Sequence, residues 1–269
     1  MDKATLVGIV LALAGLLGGM FFKHVPFSNL GNPAAIFMII IGTIGAVGIA
    51  FPASELKKIP KLFKIIFNDK QEFSISELIP TFTNWANIAR KEGLLALETQ
   101  LNEVNEPFLK NGLSLAIDGQ SPEFIRDVMN EEIDAMEERH QAAASIFTQA
   151  GTYAPTLGVL GAVVGLIAAL GNMADIDALG AAIAAAFVAT LYGIFTGYSL
   201  WHPFANKLKR KSKEEAQVKR IMIEGVLSVL DGQSPTMLEQ KLLSYLPNTE
   251  REKYLASQGQ AQGGGSQDE

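Results

Sequence analysis

The sequence predicts an all-α membrane protein, with four transmembrane helices joined to a helical cytoplasmic domain formed by the middle segment and the C-terminal region. Three observations carry this. Of 269 residues, 48% are hydrophobic and only 19% charged, a balance closer to membrane than to soluble chains. Four stretches hold no Asp, Glu, Lys or Arg: Ala4–Phe22, Pro33–Ser54, Gln141–Ala174 and Ala178–Asn206. Each is close to or above the roughly 20 apolar residues needed to cross a bilayer core. The segments between and after these runs carry apolar residues at helical spacing, with no competing alternation of the kind that marks strands.

Taken in chain order, the first run is expected to stay as a span rather than be removed as a signal. It is long, Asp2 and Lys3 give it no basic leader, and no small-residue cleavage site follows before the next apolar run. The second span ends at a lysine cluster, Lys57, Lys58, Lys61 and Lys64, interleaved with Ile59, Leu62, Phe63, Ile65, Ile66 and Phe67. That pattern predicts an amphipathic helix with Pro60 in its first turn, lying along the inner membrane surface or packed on the cytoplasmic domain. A second basic cluster, Lys207 to Lys213, follows span four, whereas the loop between spans one and two holds only Lys23 and Asn172–Asp177 holds no lysine or arginine. Because cytoplasmic flanks carry the positive charge, both termini and the middle segment are expected inside the cell.

The expected organisation is therefore 1–54 for spans one and two, 55–150 for a cytoplasmic helical domain, 151–206 for spans three and four, 207–256 for C-terminal helices, and 257–269 for a tail. Within it, Asp118-Gly-Gln-Ser-Pro122 recurs as Asp231-Gly-Gln-Ser-Pro235, each time after an apolar run. Glycine suits the residue past a helix end, serine the next N-cap and proline the first helical position, so each copy predicts a tight corner between helices. The tail from Ser257 lacks apolar residues to bury and is expected to be disordered.

Several function classes are excluded or disfavoured. The chain has no cysteine, and His24, His140 and His202 are too scattered for a local metal site, so neither a metal nor another cofactor is expected. The net charge of −6 disfavours nucleic acid as a partner. No phosphate-binding glycine loop, nucleophile elbow or His-Glu-x-x-His is present, and the chain is not expected to be an enzyme. Gly158, Gly161, Gly165 and Gly171 lie inside span three, where small residues let helices approach closely.

Spans three and four also differ from spans one and two. Span four runs Ala181-Ala-Ile-Ala-Ala-Ala186, then Phe187, Thr190, Tyr192, Thr196 and Tyr198. Small residues with a few hydroxyls suit a packed inner surface that touches water, although threonines in helices also bond back to their own carbonyls. Pro155 and Pro203 bracket the pair and are expected to mark breaks between the membrane helices and their cytoplasmic continuations. No span carries the ionisable residue that an ion pathway ordinarily keeps in the membrane. Any titratable group for such a path must come from another chain.

Three segments together resemble the flagellar motor stator family MotA, over nearly the whole chain up to the tail. They are Ala150-Gly-Thr-Tyr-Ala-Pro-Thr-Leu-Gly158 running into Gly161-Ala-Val-Val-Gly165, Phe187-Val-Ala-Thr-Leu-Tyr-Gly193 with Trp201-His-Pro-Phe-Ala-Asn206, and Ala89-Arg-Lys-Glu-Gly-Leu-Leu-Ala-Leu-Glu98. The resemblance implies a multi-pass inner-membrane subunit for flagellar rotation, motility and chemotaxis. Five copies would surround a dimer of a MotB-like partner whose aspartate takes up the ion.

It further implies that Arg90 and Glu98 meet oppositely charged residues of the rotor protein FliG, that Pro155 and Pro203 couple ion flow to cytoplasmic movement, and that Thr190 lines the ion path. Sodium-type members resemble this chain but carry threonine where Ala162 stands, so the expected ion is the proton. On residue chemistry alone, Arg90 and Glu98 read equally as solvated charges of one helix. An energiser subunit of the ExbB or TolQ type is the nearest alternative, although those chains resemble three-span proteins. A membrane scaffold without an ion path is the other.

Overall fold

The computed structural model describes residues 2–68, 74–171 and 176–263, and every regular element among them is helical. The α-helices are α1 (Lys3–Phe22), α2 (Pro33–Ala50), α3 (Ala53–Leu56), α4 (Ile59–Phe67), α5 (Ile75–Glu92), α6 (Pro107–Ile117), α7 (Pro122–Leu170), α8 (Ile176–Thr196), α9 (His202–Leu230), α10 (Pro235–Leu243) and α11 (Asn248–Gly263). Short 3₁₀ segments cover Phe27–Leu30 and Leu94–Asn102, and a π-helical turn covers Gly197–Trp201. Among the described residues, four helical stretches are long and apolar enough to cross a membrane, beginning at Lys3, Phe27, Pro122 and Leu179. Of the expected outer loop between spans three and four, residues 172–175 lie outside the described set.

The chain divides into two compact units, Met1–Lys70 with Glu138–Ser212 and Gln71–Glu137 with Lys213–Glu269. In the first unit, the core around Leu62, Ile66, Phe147 and Phe204 shows what happens to the amphipathic helix α4. Leu62 and Ile66, one turn apart, are buried, and the Phe63 ring stands edge-on to Phe147 at 5.2 Å. The four lysines around α4 remain exposed. Its apolar face is thus spent on protein, which favours the packed reading of this helix over one in which that face meets lipid.

The beginning of α2 is stapled to α8. Asn32 caps α2 by accepting from the Ala35 N–H at 3.1 Å, and its Nδ2 donates to the Ala185 carbonyl at 3.1 Å. The Tyr192 hydroxyl donates to the carbonyl of Leu30. These bonds seat the connection before span two against span four.

In the second unit, Phe82, Trp85, Phe108, Leu113, Met129 and Met222 anchor one continuous core. Both recurrent Asp-Gly-Gln-Ser-Pro segments form the expected corners. Gly119 and Gly232 take φ of +75° and +65°, which glycine adopts without strain. The following amide closes each helix end, from Gln120 to Leu115 at 3.1 Å and from Gln233 to Ser228 at 3.1 Å, a Schellman pattern. Ser121 and Ser234 then cap α7 and α10 by accepting from the amides of Phe124 and Met237.

In the second unit, two expectations need correction. Of the expected tail, residues 257–263 continue helix α11, with Tyr254 buried in the core just before them and alanine and glutamine tolerating helix well, while residues 264–269 lie outside the described set. Arg90 and Glu98 do not share a helix. α5 stops at Glu92, Gly93 turns with φ of +88°, and Glu98 sits on the 3₁₀ segment that follows.

Candidate functional site: a glycine seam and two prolines

α7 and α8 run antiparallel in close contact, and the sequence of small residues explains how close they come. A methyl group built on Gly165 would lie 3.0 Å from the Ala186 Cβ, and one on Gly161 would lie 3.1 Å from the Ala189 Cβ. One built on Gly158 would meet the Ala189 carbonyl oxygen at 2.9 Å, and one on Gly193 the Ala154 carbonyl oxygen at 2.6 Å. Backbone lies against backbone along this seam, the arrangement that glycine permits between membrane helices.

Thr190 stands on the seam. Its hydroxyl points to the Gly158 carbonyl of the neighbouring helix at 3.5 Å rather than to its own helix. Thr196 does the opposite, donating to the Tyr192 carbonyl at 2.8 Å. The hydroxyl of Thr190 therefore bridges two helices, while that of Thr196 is absorbed locally. Ala162, four residues along α7 from Gly158, is half-buried and brings no polar atom. No group of three or more potential metal-ligating side chains occurs among the described residues.

The prolines meet this seam at its other end. Contrary to expectation, α7 does not break at Pro155 but continues through it from Pro122 to Leu170. Pro155 has no N–H to give the carbonyl of Gly151, four residues earlier, so that carbonyl loses its helical partner. Gly197 packs there: a methyl built on it would lie 2.8 Å from the Gly151 oxygen and 2.8 Å from the Pro155 ring. The absence of a side chain on Gly197 lets the proline be accommodated within a continuous helix.

Gly197 also opens the π-helical turn, which closes with the His202 amide donating to the Gly197 carbonyl. The His202 ring fills the space over Gly151, where a methyl would come within 2.8 Å of it. Pro203 follows as the second residue of α9. Span four thus changes helical register at Gly197–Trp201 instead of ending, and one locus gathers Gly151, Pro155, Gly197, His202 and Pro203. A π turn inside a helix is a weaker ladder and a frequent place for function. Periodicity could not disclose it, because Gly197-Tyr-Ser-Leu-Trp201 keeps the mix of small, hydroxyl-bearing, apolar and aromatic residues found along the rest of the span.

Arg90 and Glu98 are exposed on either side of the Gly93 turn, and Leu95 between them is 72% exposed. The turn presents a positive and a negative group from separate elements.

With this geometry in place, comparison with known proteins identifies the family. The model of the MotA/TolQ/ExbB proton channel family matches residues 100–221. Motility protein A of Bacillus subtilis is 64% identical over 269 residues, covering 100% of this chain and 99% of that protein. Chemotaxis protein PomA of Vibrio alginolyticus is 32% identical over 93% of this chain and 98% of its own length. Among solved structures, that of the flagellar MotAB stator complex from Bacillus subtilis superposes with a TM-score of 0.88 at 65% identity, covering 94% of this chain and 99% of the other. C. jejuni MotAB superposes with a TM-score of 0.86 at 30% identity, covering 92% and 97%. The chain belongs to the motility protein A family, within the MotA/TolQ/ExbB proton channel family.

Proposed function

We propose that this chain is the ion-conducting stator subunit of a bacterial flagellar motor, coupling proton flow to torque on the rotor. It is a multi-pass inner-membrane protein that works as a homo-oligomer, five copies around a MotB-like partner, and catalyses no covalent reaction. The observation that carries the reading is the full-length similarity to the subunit of the flagellar MotAB stator, joined to spans whose charge-free runs contain no carboxylate of their own. A proton path needs such a group. The MotB-like partner supplies it as a membrane aspartate, and this chain supplies the wall, the Thr190 hydroxyl and the π-helical turn.

In this account both termini and the residues 55–150 face the cytoplasm, as the lysine clusters require. Arg90 and Glu98 engage charges on the rotor protein FliG. Partner movement along the seam flexes the Pro155–Gly197–Pro203 locus, since a π turn beside two prolines is a weak point that can act as a hinge. The ion is a proton, because Thr190 alone offers one hydroxyl per subunit and Ala162 adds none, a thin shell for sodium.

The test is complementation in a strain lacking its own stator subunit, with the partner supplied. Restored swimming that persists when sodium is replaced by potassium and stops with a protonophore supports the reading. Swimming that requires sodium would remove the proton assignment, and no restoration would remove the stator.

A further inference from the structure

A partly buried ion pair, with the Lys207 side chain 23% exposed and Asp2 buried, joins the first residues of α1 to the first turns of α9. Asp2 caps α1, its Oδ1 accepting from the amide of Ala4 at 2.9 Å and of Thr5 at 3.4 Å. Its Oδ2 accepts from the Thr5 hydroxyl at 2.8 Å and pairs with the Lys207 ammonium, which also donates to the Thr5 oxygen. The Asp2 amide donates to the Phe67 carbonyl at the end of α4 at 2.9 Å, and Lys211 donates to the Asn68 carbonyl at 2.5 Å. Three elements, α1, α4 and α9, are thus tied at one point. Asp2 is 7% exposed, one of very few buried polar or charged residues among those described.

Capping alone does not require this arrangement. An exposed aspartate caps a helix equally well, and burying a charged pair costs desolvation that apolar packing would avoid. What a pair with a buried carboxylate adds is register, the best attested use of such groups. Lys207 lies four residues beyond Pro203, on the same side of α9, and Lys211 four further on. The pair therefore fixes the axial and rotational setting of α9 one turn past its proline.

Resting on the stator reading above, we propose that Asp2 and Lys207, bridged by Thr5, are positioning residues for torque generation. They hold α9 to α1 and α4, so that bending at Pro155–Gly197–Pro203 moves the helix beyond the clasp instead of being lost as slippage at its start.

The test uses the full chain with its partner in cells lacking the native subunit, and measures the stepwise torque rise on a tethered bead as single stator units join one motor. Asp2→Asn keeps the cap and removes the charge. Lys207→Gln removes the other charge, Lys207→Arg keeps it, and Thr5→Val removes only the bridging hydroxyl. Arg210→Gln, at an exposed neighbour, is the control.

The expected result is a torque increment per unit reduced at least twofold by D2N and by K207Q, with the number of increments unchanged. K207R and the control should keep the wild-type increment. D2N with K207Q should match either single variant, because one pair is removed only once. T5V, which leaves both charges in place, should be present at full level with a smaller reduction, and decides the matter if D2N fails to accumulate. A wild-type increment in T5V and K207Q, or fewer units each of wild-type torque, would overturn the proposal by making the clasp merely structural. Absence of any steps with the wild-type chain would instead count against the stator reading.

Discussion

Gly193→Ala tests the seam with the smallest available perturbation. The added methyl would sit 2.6 Å from the Ala154 carbonyl oxygen, 2.9 Å from the Gly158 Cα and 3.2 Å from the Gly158 nitrogen, where ordinary contact begins at 3.4 Å. All three are backbone atoms, so no side chain can rotate away and α7 and α8 must part. Overpacking of this kind costs about 3 kcal/mol at the upper end of its usual range. Alanine regains about 1 kcal/mol of helix propensity over glycine, leaving a net loss of about 2 kcal/mol. For a protein of this size that corresponds to a fall in Tm of roughly 4–8 °C.

The assay is thermal unfolding of the purified complex in detergent beside Gly18→Ala, which would meet no atom of this chain within 4 Å and should be neutral or slightly stabilising. G193A should also cut swimming, since Thr190 and Gly158 lie on the same contact. A G193A protein as stable as wild type would refute the close-packed seam.

Other consequences are equally open to measurement. Charge reversal at Arg90 or Glu98 should reduce swimming several-fold at unchanged membrane level, with partial recovery from an opposite reversal in the rotor; loss of the protein from the membrane would instead assign both residues to folding. Pro155→Ala restores the amide that Gly151 lacks and should stiffen α7, leaving assembly intact while torque falls, whereas normal swimming would reduce the proline to a packing detail. Glu224 is partly buried, which by itself raises its pKa, yet the hydrogen bonds from Lys241 at 2.8 Å and from Arg126 hold it below its ordinary 4.5. A carboxylate depressed on folding contributes stability above its unfolded pKa and loses it as pH falls through the folded value. Acid unfolding of wild type below about pH 4.5 should therefore flatten in Glu224→Gln, and an unchanged acid limb would exclude that role.

Much of this architecture was legible because it is written in local patterns. Charge-free runs gave the four spans, and Gly-x-Ser-Pro spacing gave both helix corners, since each depends on residues within one or two turns. Gly93 carried a signal that the one-helix reading of Arg90 and Glu98 overlooked: a glycine between them can mark a helix end, and the structure turns there. The accommodation of Pro155 could not be read in the same way. It depends on Gly197, which lacks a side chain at the one place where the unpaired Gly151 carbonyl needs room. The clasp of Asp2 with Lys207 escaped for a related reason. Nothing within a few residues of Asp2 announces a partner on the far side of the chain, and Asp-x-x-Thr reads only as a cap. The helix over residues 257–263 escaped because composition ignored Tyr254, whose burial holds α11 to the core while its hydroxyl donates to Glu239 at 3.1 Å.

The central claim is that this chain forms a proton path only with a partner that brings the carboxylate. Proton uptake into liposomes under an imposed membrane potential tests it directly, with this chain alone, the MotB-like partner alone, and both together. Flux is expected only with both, abolished when the partner's membrane aspartate is replaced by asparagine and indifferent to sodium. Equal flux from this chain alone, or flux that survives loss of that aspartate, would contradict it.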